Sequence, residues 1–121
     1  MRHYIYIICV VTVLLTVSCG RQHDAEKTVE EFVAANHTTP DDVDFIKFYD
    51  IDSTRILTDS VIVATRERAS ARFRKDISYS KFNGGRLVYL RAEYKCGTDT
   101  LSATFYLQPT LEGVVAFKEN G

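Results

Sequence analysis

The densest group of side chains that could do chemistry lies at residues 49–55, YDIDSTR. Asp50 and Asp52 stand two positions apart, so an extended backbone would place both carboxylates on one face. Such a pair could bind a cation or act in acid–base catalysis if another ligand came from elsewhere in the fold. The alternative is a solvated loop in which Arg55 pairs locally, and the absence of an EF-hand pattern favours this interpretation.

His37 is the other residue suited to proton transfer, since an imidazole titrates near neutral pH. It falls at the predicted end of a helix, where a histidine is also a favourable partner of the helix dipole, and this structural role is favoured. The sequence contains no G-x-S-x-G, P-loop, HExxH or Rossmann glycine motif, and no cysteine or histidine spacing typical of a metal site. No metal and no cofactor are therefore predicted, and a binding or structural module is favoured over an enzyme.

The N-terminus carries the strongest signal in the sequence. Residues 1–4 give a short positive start, and residues 5–17 form a thirteen-residue apolar run, the length typical of the hydrophobic region of an export signal. The run is too short to span a bilayer comfortably. It ends at a small residue, Ser18, which is followed by Cys19. This pattern predicts export.

The residues that precede Cys19 resemble the lipobox of bacterial lipoproteins, in which leucine, a small or β-branched residue and a small residue precede an acylated cysteine. Val17 and Ser18 match this pattern, whereas Thr16 stands where leucine is usual. The resemblance implies a signal peptide over residues 1–18, lipid attachment at Cys19, and a lipid-anchored protein on the periplasmic or outer-membrane face of the bacterial cell envelope. A cleaved secretory signal without lipid and a retained membrane anchor are the alternatives.

The rest of the chain is predicted to be a tether at residues 19–23 and a single domain at 24–121. The 121 residues are 45% hydrophobic and 26% charged, which is typical of a globular domain. The 15 basic and 16 acidic residues give a net charge of -1, so no nucleic-acid partner is predicted. After lipidation of Cys19, the mature domain would keep a single free thiol, Cys96, and no intramolecular disulfide.

The spacing of apolar residues predicts two helices. Asp24 could cap the first, whose apolar positions recur three and four residues apart and which ends near His37, before Pro40. Residues 41–58 fit neither helical nor strand periodicity and are predicted to be irregular, with a short extended piece. A second helix is predicted from a cap at Asp59 to about residue 74.

The C-terminal half is predicted to be all strand. Residues 76–82 lead into a hairpin turn at 83–85, and alternating strands follow at 87–96, 101–108 and 114–118. Cys96 shares the phase of the apolar residues in its strand, so it is expected to be buried as a small hydrophobe. The sum is an α+β domain, with an N-terminal helix or two helices packed on a curved antiparallel sheet of about four strands.

This order of elements resembles the cystatin-like and nuclear transport factor 2-like folds, in which helices pack across a strongly curved antiparallel sheet. Enzymes of the second group use Asp and His residues in the cavity between the helices and the sheet. The resemblance therefore implies an enzymatic alternative, in which His37 acts with Asp50 or Asp52 in such a cavity.

The preferred hypothesis is a non-enzymatic envelope protein that contacts the membrane through its N-terminal lipid and binds an envelope protein or a small ligand. The contact surface would be the sheet or the cleft beside the helices. The 101–108 strand has a mild polar face opposite its apolar one. This face is the candidate binding surface, formed by Thr100, Ser102, Thr104 and Tyr106.

Overall fold

A computed structural model describes residues 20–120 of the chain. Cys19 and the predicted signal peptide at 1–18 lie outside the described residues. Among residues 20–120, no helix combines the length and the hydropathy that a membrane span requires.

Within residues 20–120, two α-helices and a short 3-10 helix at Pro40–Asp42 accompany a five-stranded antiparallel sheet, which confirms the predicted α+β class. The described part of helix α1 covers 20–36, and helix α2 spans Asp59–Glu67. The sheet has the order β1-β3-β4-β5, and β2 pairs with β3 beside β1. The strands are β1 (Val43–Phe48), β2 (Asp52–Ser53), β3 (Val88–Cys96), β4 (Asp99–Leu107) and β5 (Val114–Glu119).

Helix α1 packs its apolar stripe on one face of the sheet, which we call the inner face. The stripe is the one predicted from the spacing of Ala25, Val29, Phe32 and Val33, all of which are buried. Opposite it lie alternate residues of β3, β4 and β5, each fully buried, so the helix and the sheet share one hydrophobic core. They include Leu90, Ala92, Tyr94, Ala103, Phe105, Leu107 and Phe117.

The opposite side of the sheet, here called the outer face, packs against helix α2 at β5, where Ile62 is buried with Ala116, and carries the polar residues of β3 and β4. Tyr89, Arg91, Glu93 and Lys95 alternate with the buried residues of β3, as the period of two predicts. Their partners across β4 are the candidate binding residues of the sequence, in the order Tyr106, Thr104, Ser102 and Thr100.

Helix α1 extends further toward the N-terminus than predicted. Residues 20–23, expected to be a tether, are helical, and Asp24 lies inside the helix rather than at its cap. Gln22 accounts for this difference, because its amide fixes this turn to the segment after β1. Its Nε2 donates to the carbonyl of Tyr49 at 3.0 Å, and its Oε1 accepts from the amide of Ile51 at 2.9 Å.

Residues 76–82 do not form the predicted strand, and α2 ends at Glu67 instead of near residue 74. Gly84 and Gly85 adopt positive φ, as the turn prediction requires, but they do not join two paired strands. The place beside β3 is taken by β1 and β2, from the stretch predicted to be mostly irregular. Helix α2 is capped by Thr58, not Asp59, through a 3.4 Å bond from the amide of Val61 to its hydroxyl.

Candidate ligand-binding groove

His37 lies in the core, fully buried, where α1 ends beside the last residue of β3. Its Nδ1 accepts a hydrogen bond from the amide of Thr39 at 2.9 Å, and its Nε2 is 3.7 Å from the sulfur of Cys96. The ring of Phe73 packs edge-on against it, with 5.1 Å between ring centroids. The structure therefore brings together a histidine and a cysteine that are 59 residues apart in the sequence.

This arrangement fixes the tautomer of His37. Because Nδ1 accepts a hydrogen bond, the neutral ring carries its proton on Nε2 and points it at the sulfur of Cys96. Neither nitrogen then has a free lone pair for the thiol proton or for a substrate. This contact was not predicted from the sequence. The one signal that pointed toward it was the position of Cys96, which is half-buried and alternates in phase with the inner-face residues of β3.

Burial lowers the pKa of His37 below its ordinary value of 6.5, and the charge of Arg72 adds to this effect, while Asp42 and Glu119 oppose it. The unfolded chain binds a proton near pH 6.5 that the folded chain does not bind. Acidification below pH 6.5 therefore destabilises the fold until the folded pKa is reached. Urea unfolding at pH 8 and pH 5.5 checks this, and the loss should be smaller in His37→Gln. Equal losses in the two proteins would contradict the prediction.

Asp50 and Asp52 lie far from His37. Both are exposed, and Asp52 pairs with Tyr89, whereas His37 contacts Cys96 at the other end of β3. Tyr89 and Cys96 are seven positions apart along the strand, about 23 Å at roughly 3.3 Å per residue. The structure thus does not bring the histidine together with either carboxylate, and within 20–120 it forms no cluster of three His, Cys, Asp or Glu residues suited to a metal.

The outer face holds an open groove of about 510 Å³, a volume within the range of small-ligand pockets. Its floor comes from β3, β4 and β5, and the segment between β2 and α2 forms one wall. We call it the outer-face groove. The residues that line it are Thr54, Arg55, Leu57, Tyr89, Arg91, Thr104, Tyr106, Lys118 and Asn120.

Strand pairing arranges the floor of the outer-face groove in two neighbouring rows. In one row, Tyr89 on β3 lies directly opposite Tyr106 on β4. In the next, Thr104 lies between Arg91 on β3 and Lys118 on β5. Because adjacent strands are about 4.8 Å apart, the α-carbons of the two cationic residues are about 10 Å apart. An aromatic row therefore borders a row with a cation at each end.

Hydrogen bonds within the outer face orient these side chains. The Nε of Arg91 donates to the hydroxyl of Ser102 at 3.1 Å, and its guanidinium lies 5.2 Å from the ring centre of Tyr49. The Nδ2 of Asn120 donates to the hydroxyl of Thr104 at 3.0 Å. The guanidinium and the hydroxyl are thereby held beside the groove before any ligand arrives.

The lining of the outer-face groove is positively charged, since its described residues include Arg55, Arg91 and Lys118 but no carboxylate. Within residues 20–120 the structure forms a single ion pair, Arg72 with Asp99 at 2.9 Å, and neither of these lines the groove. Glu93, the next outer-face residue of β3, accepts a 2.6 Å hydrogen bond from the hydroxyl of Tyr49. That bond is the main cause of the raised pKa of Tyr49.

The candidate binding residues divide between two places. Thr104 and Tyr106 line the outer-face groove, Ser102 supports Arg91 from outside it, and Thr100 is exposed beside the β3–β4 turn. The lining residues that sequence reasoning missed come from β3, β5 and the 54–57 segment. For β3 a signal existed, because the alternation that buries Leu90 also places its neighbours on the outer face.

Comparisons of the chain with models of protein families, with curated proteins and with solved structures found no match.

Proposed function

We propose that this protein is a non-enzymatic binding module of the bacterial cell envelope, anchored by a lipid at Cys19, and that the outer-face groove is its ligand site. The observation that carries the binding role is the groove itself. It combines hydrogen-bonding side chains, cations and tyrosines on a sheet face whose opposite side is closed by α1. Concave sites that hold a few convergent polar groups are typical of ligand pockets.

The chemistry of the lining supports binding over catalysis. General acid–base catalysis works best with groups whose pKa lies near the operating pH. The outer-face groove is lined by arginine, lysine, tyrosine, threonine, asparagine and leucine, with neither histidine nor carboxylate among the described lining residues. Such side chains hold and orient a ligand but do not exchange protons readily at neutral pH.

The lipid anchor rests on the resemblance of residues 16–19 to a lipobox. The first described turn of α1 supports a domain held close to the bilayer, because Gln22 follows Cys19 by three residues and is hydrogen-bonded to the segment after β1. A lipid at Cys19 would leave almost no free chain between the membrane and the fold.

Replacing Cys19 with serine is expected to abolish lipid attachment in a bacterial host that has a lipoprotein pathway. The wild-type mass should correspond to a chain that starts at Cys19 and carries acyl groups, and the protein should need detergent for extraction from membranes. The variant should lack the acyl mass. Cys9→Ser, inside the predicted signal peptide, is the matched control and should keep the lipid. A wild-type protein without acyl mass would refute the anchor.

The binding role is tested by native mass spectrometry of the full protein extracted from its own host's envelope in mild detergent. We expect a retained small molecule or partner on the wild type, and its loss in Tyr106→Leu, which removes one of the two aromatic rings of the groove floor. If the same species remains bound to the variant, the outer-face groove is not the site. If the wild type carries nothing and binds none of the probes described below, the binding role itself is refuted.

A further inference from the structure

We infer that the ligand of the outer-face groove is an acidic saccharide, whose acid group binds between Arg91 and Lys118 while its ring lies on Tyr89 and Tyr106. The inference rests on the proposed function, because it names the ligand class of the same groove. The charge of the lining, its two tyrosines and the position of the groove within the sheet support the inference.

Charge selects an anion. The three cationic residues of the lining come from two strands and from the 54–57 wall, so they surround the groove rather than form one run of sequence. Concave surfaces lined by charge of one sign focus the field and concentrate oppositely charged ligands. The side chain of Arg91 forms one hydrogen bond to a described residue, from Nε to the hydroxyl of Ser102. The guanidinium lies beside the ring of Tyr49, and its Nη donors, which form no hydrogen bond to a described residue, are available to an acid group.

The aromatic row narrows the class of anion. Tyr89 and Tyr106 are both half-buried and lie opposite each other on neighbouring strands. Tyr106 packs against the buried cluster of Ile62, Leu87, Val115 and Ala116, and both tyrosines line the groove. Neither forms an aromatic stack with another ring among residues 20–120. Tyrosine combines a flat apolar face with a polar hydroxyl, so it suits a ligand that is apolar on one face and polar at its edge. A pyranose ring has this character, and a simple inorganic anion does not.

The position of the groove argues against an acidic peptide. Most of its floor lies over β3 and β4, which are internal strands whose backbone groups pair with a neighbour on each side, and the edge strand β5 contributes only Lys118. An extended peptide that binds by strand addition needs an open sheet edge, and here it would leave its own amides without partners. Sugar hydroxyls could instead form hydrogen bonds with polar side chains of the lining, namely Thr104, Asn120 and the two tyrosine hydroxyls.

Calorimetry with the full mature protein in mild detergent tests this inference. The probes are trigalacturonate, the same trimer with its carboxylates methyl-esterified, a sulfated galactose trimer, and hexaglutamate. We expect trigalacturonate to bind, and its affinity to fall as salt is raised. The esterified trimer should bind at least tenfold more weakly, because it keeps the rings but loses the charge. A sulfated trimer that binds more tightly would identify sulfate as the preferred acid group within the same class.

Variants locate the binding site. Arg91→Gln and Lys118→Gln should each weaken trigalacturonate binding about tenfold or more, and Tyr106→Leu should weaken all saccharide probes together. Lys95→Gln is the matched control. Lys95 is an exposed outer-face lysine of β3 that does not line the groove, and its replacement should leave the affinity unchanged.

Three results would overturn the inference. The first is equal binding of the esterified and acidic trimers, and the second is an equal loss of affinity in Lys95→Gln and Lys118→Gln. The third is hexaglutamate binding more tightly than either acidic trimer, with the loss of that binding in Arg91→Gln. This third result would refute the saccharide but support the groove as a binding site, so it separates failure of the inference from failure of the proposed function.

Discussion

Replacement of Phe117 by alanine is expected to lower the free energy of unfolding by about 3–5 kcal/mol, the range for large-to-small changes at buried aromatic residues. Phe117 is fully buried in β5, where the inner face meets α1. Its ring centre lies 4.4 Å from that of Phe73, 5.6 Å from that of Phe32 and 5.7 Å from that of Phe105. Alanine would leave a cavity among these rings and that of Tyr79, and rigid rings close such a cavity poorly.

Urea unfolding followed by circular dichroism measures this loss. Because domains of this kind are stable by about 5–15 kcal/mol, the alanine variant could fail to fold, and Phe117→Leu then serves as a milder change with a smaller loss. Ile56→Ala is the matched control, since Ile56 is 70% exposed and its replacement should change stability by less than about 0.5 kcal/mol. A Phe117→Leu variant as stable as Ile56→Ala would contradict the assignment of Phe117 to the core.

The parts of the fold that sequence reasoning predicted are those governed by local periodicity. The stripe on α1 repeats every three to four residues and faces a core, so its spacing alone locates the helix and its buried side. The alternation along β3 and β4 likewise separates inner from outer residues without reference to any partner. Where only one side of a helix or strand is buried, the spacing of its apolar residues shows which side that is.

The errors concern choices that depend on distant partners. Val43 pairs with Cys96 and Phe48 with Ala92, so β1 joins the sheet through contacts about fifty residues away in the sequence. Neither local propensity nor the glycines at 84 and 85 reveals which of two segments takes the place beside β3. The segment that pairs with β3 contains Phe45 and Phe48, whose rings pack against the core with their centres 5.0 Å apart.

The candidate site shows the same difference between local patterns, which were predicted, and contacts between distant segments, which were not. Thr104 and Tyr106 could be assigned to one polar face because they belong to one strand. The row that places Arg91 and Lys118 on either side of Thr104 exists only once β3 and β5 are known to flank β4. The contact of His37 with Cys96 could not be predicted from local sequence either, because it joins the end of α1 to the end of β3.

Replacement of Gly113 by alanine is expected to lower the free energy of unfolding by about 1–3 kcal/mol, the usual loss on overpacking. Gly113 is buried in the turn between β4 and β5, and a β-carbon there would lie 2.9 Å from the β-carbon of Ser80 and closer still to its hydroxyl. Ser80 cannot easily withdraw, because its amide donates to the carbonyl of Val114 at 2.8 Å. The carbonyl of Gly113 in turn accepts from the amide of Gln108 at 3.1 Å.

A double variant tests whether this clash is the cause. In Gly113→Ala/Ser80→Gly the obstructing side chain is absent, so part of the lost stability should return, and the two changes should be non-additive by about 0.5 kcal/mol or more. Glu112→Ala, an exposed neighbour in the same turn, should have little effect. Additive losses in the double variant would show that the backbone of the turn, and not contact with Ser80, requires glycine. Non-additive losses would mean that this close contact holds the irregular 76–82 segment against the start of β5, the strand that brings Lys118 into the outer-face groove.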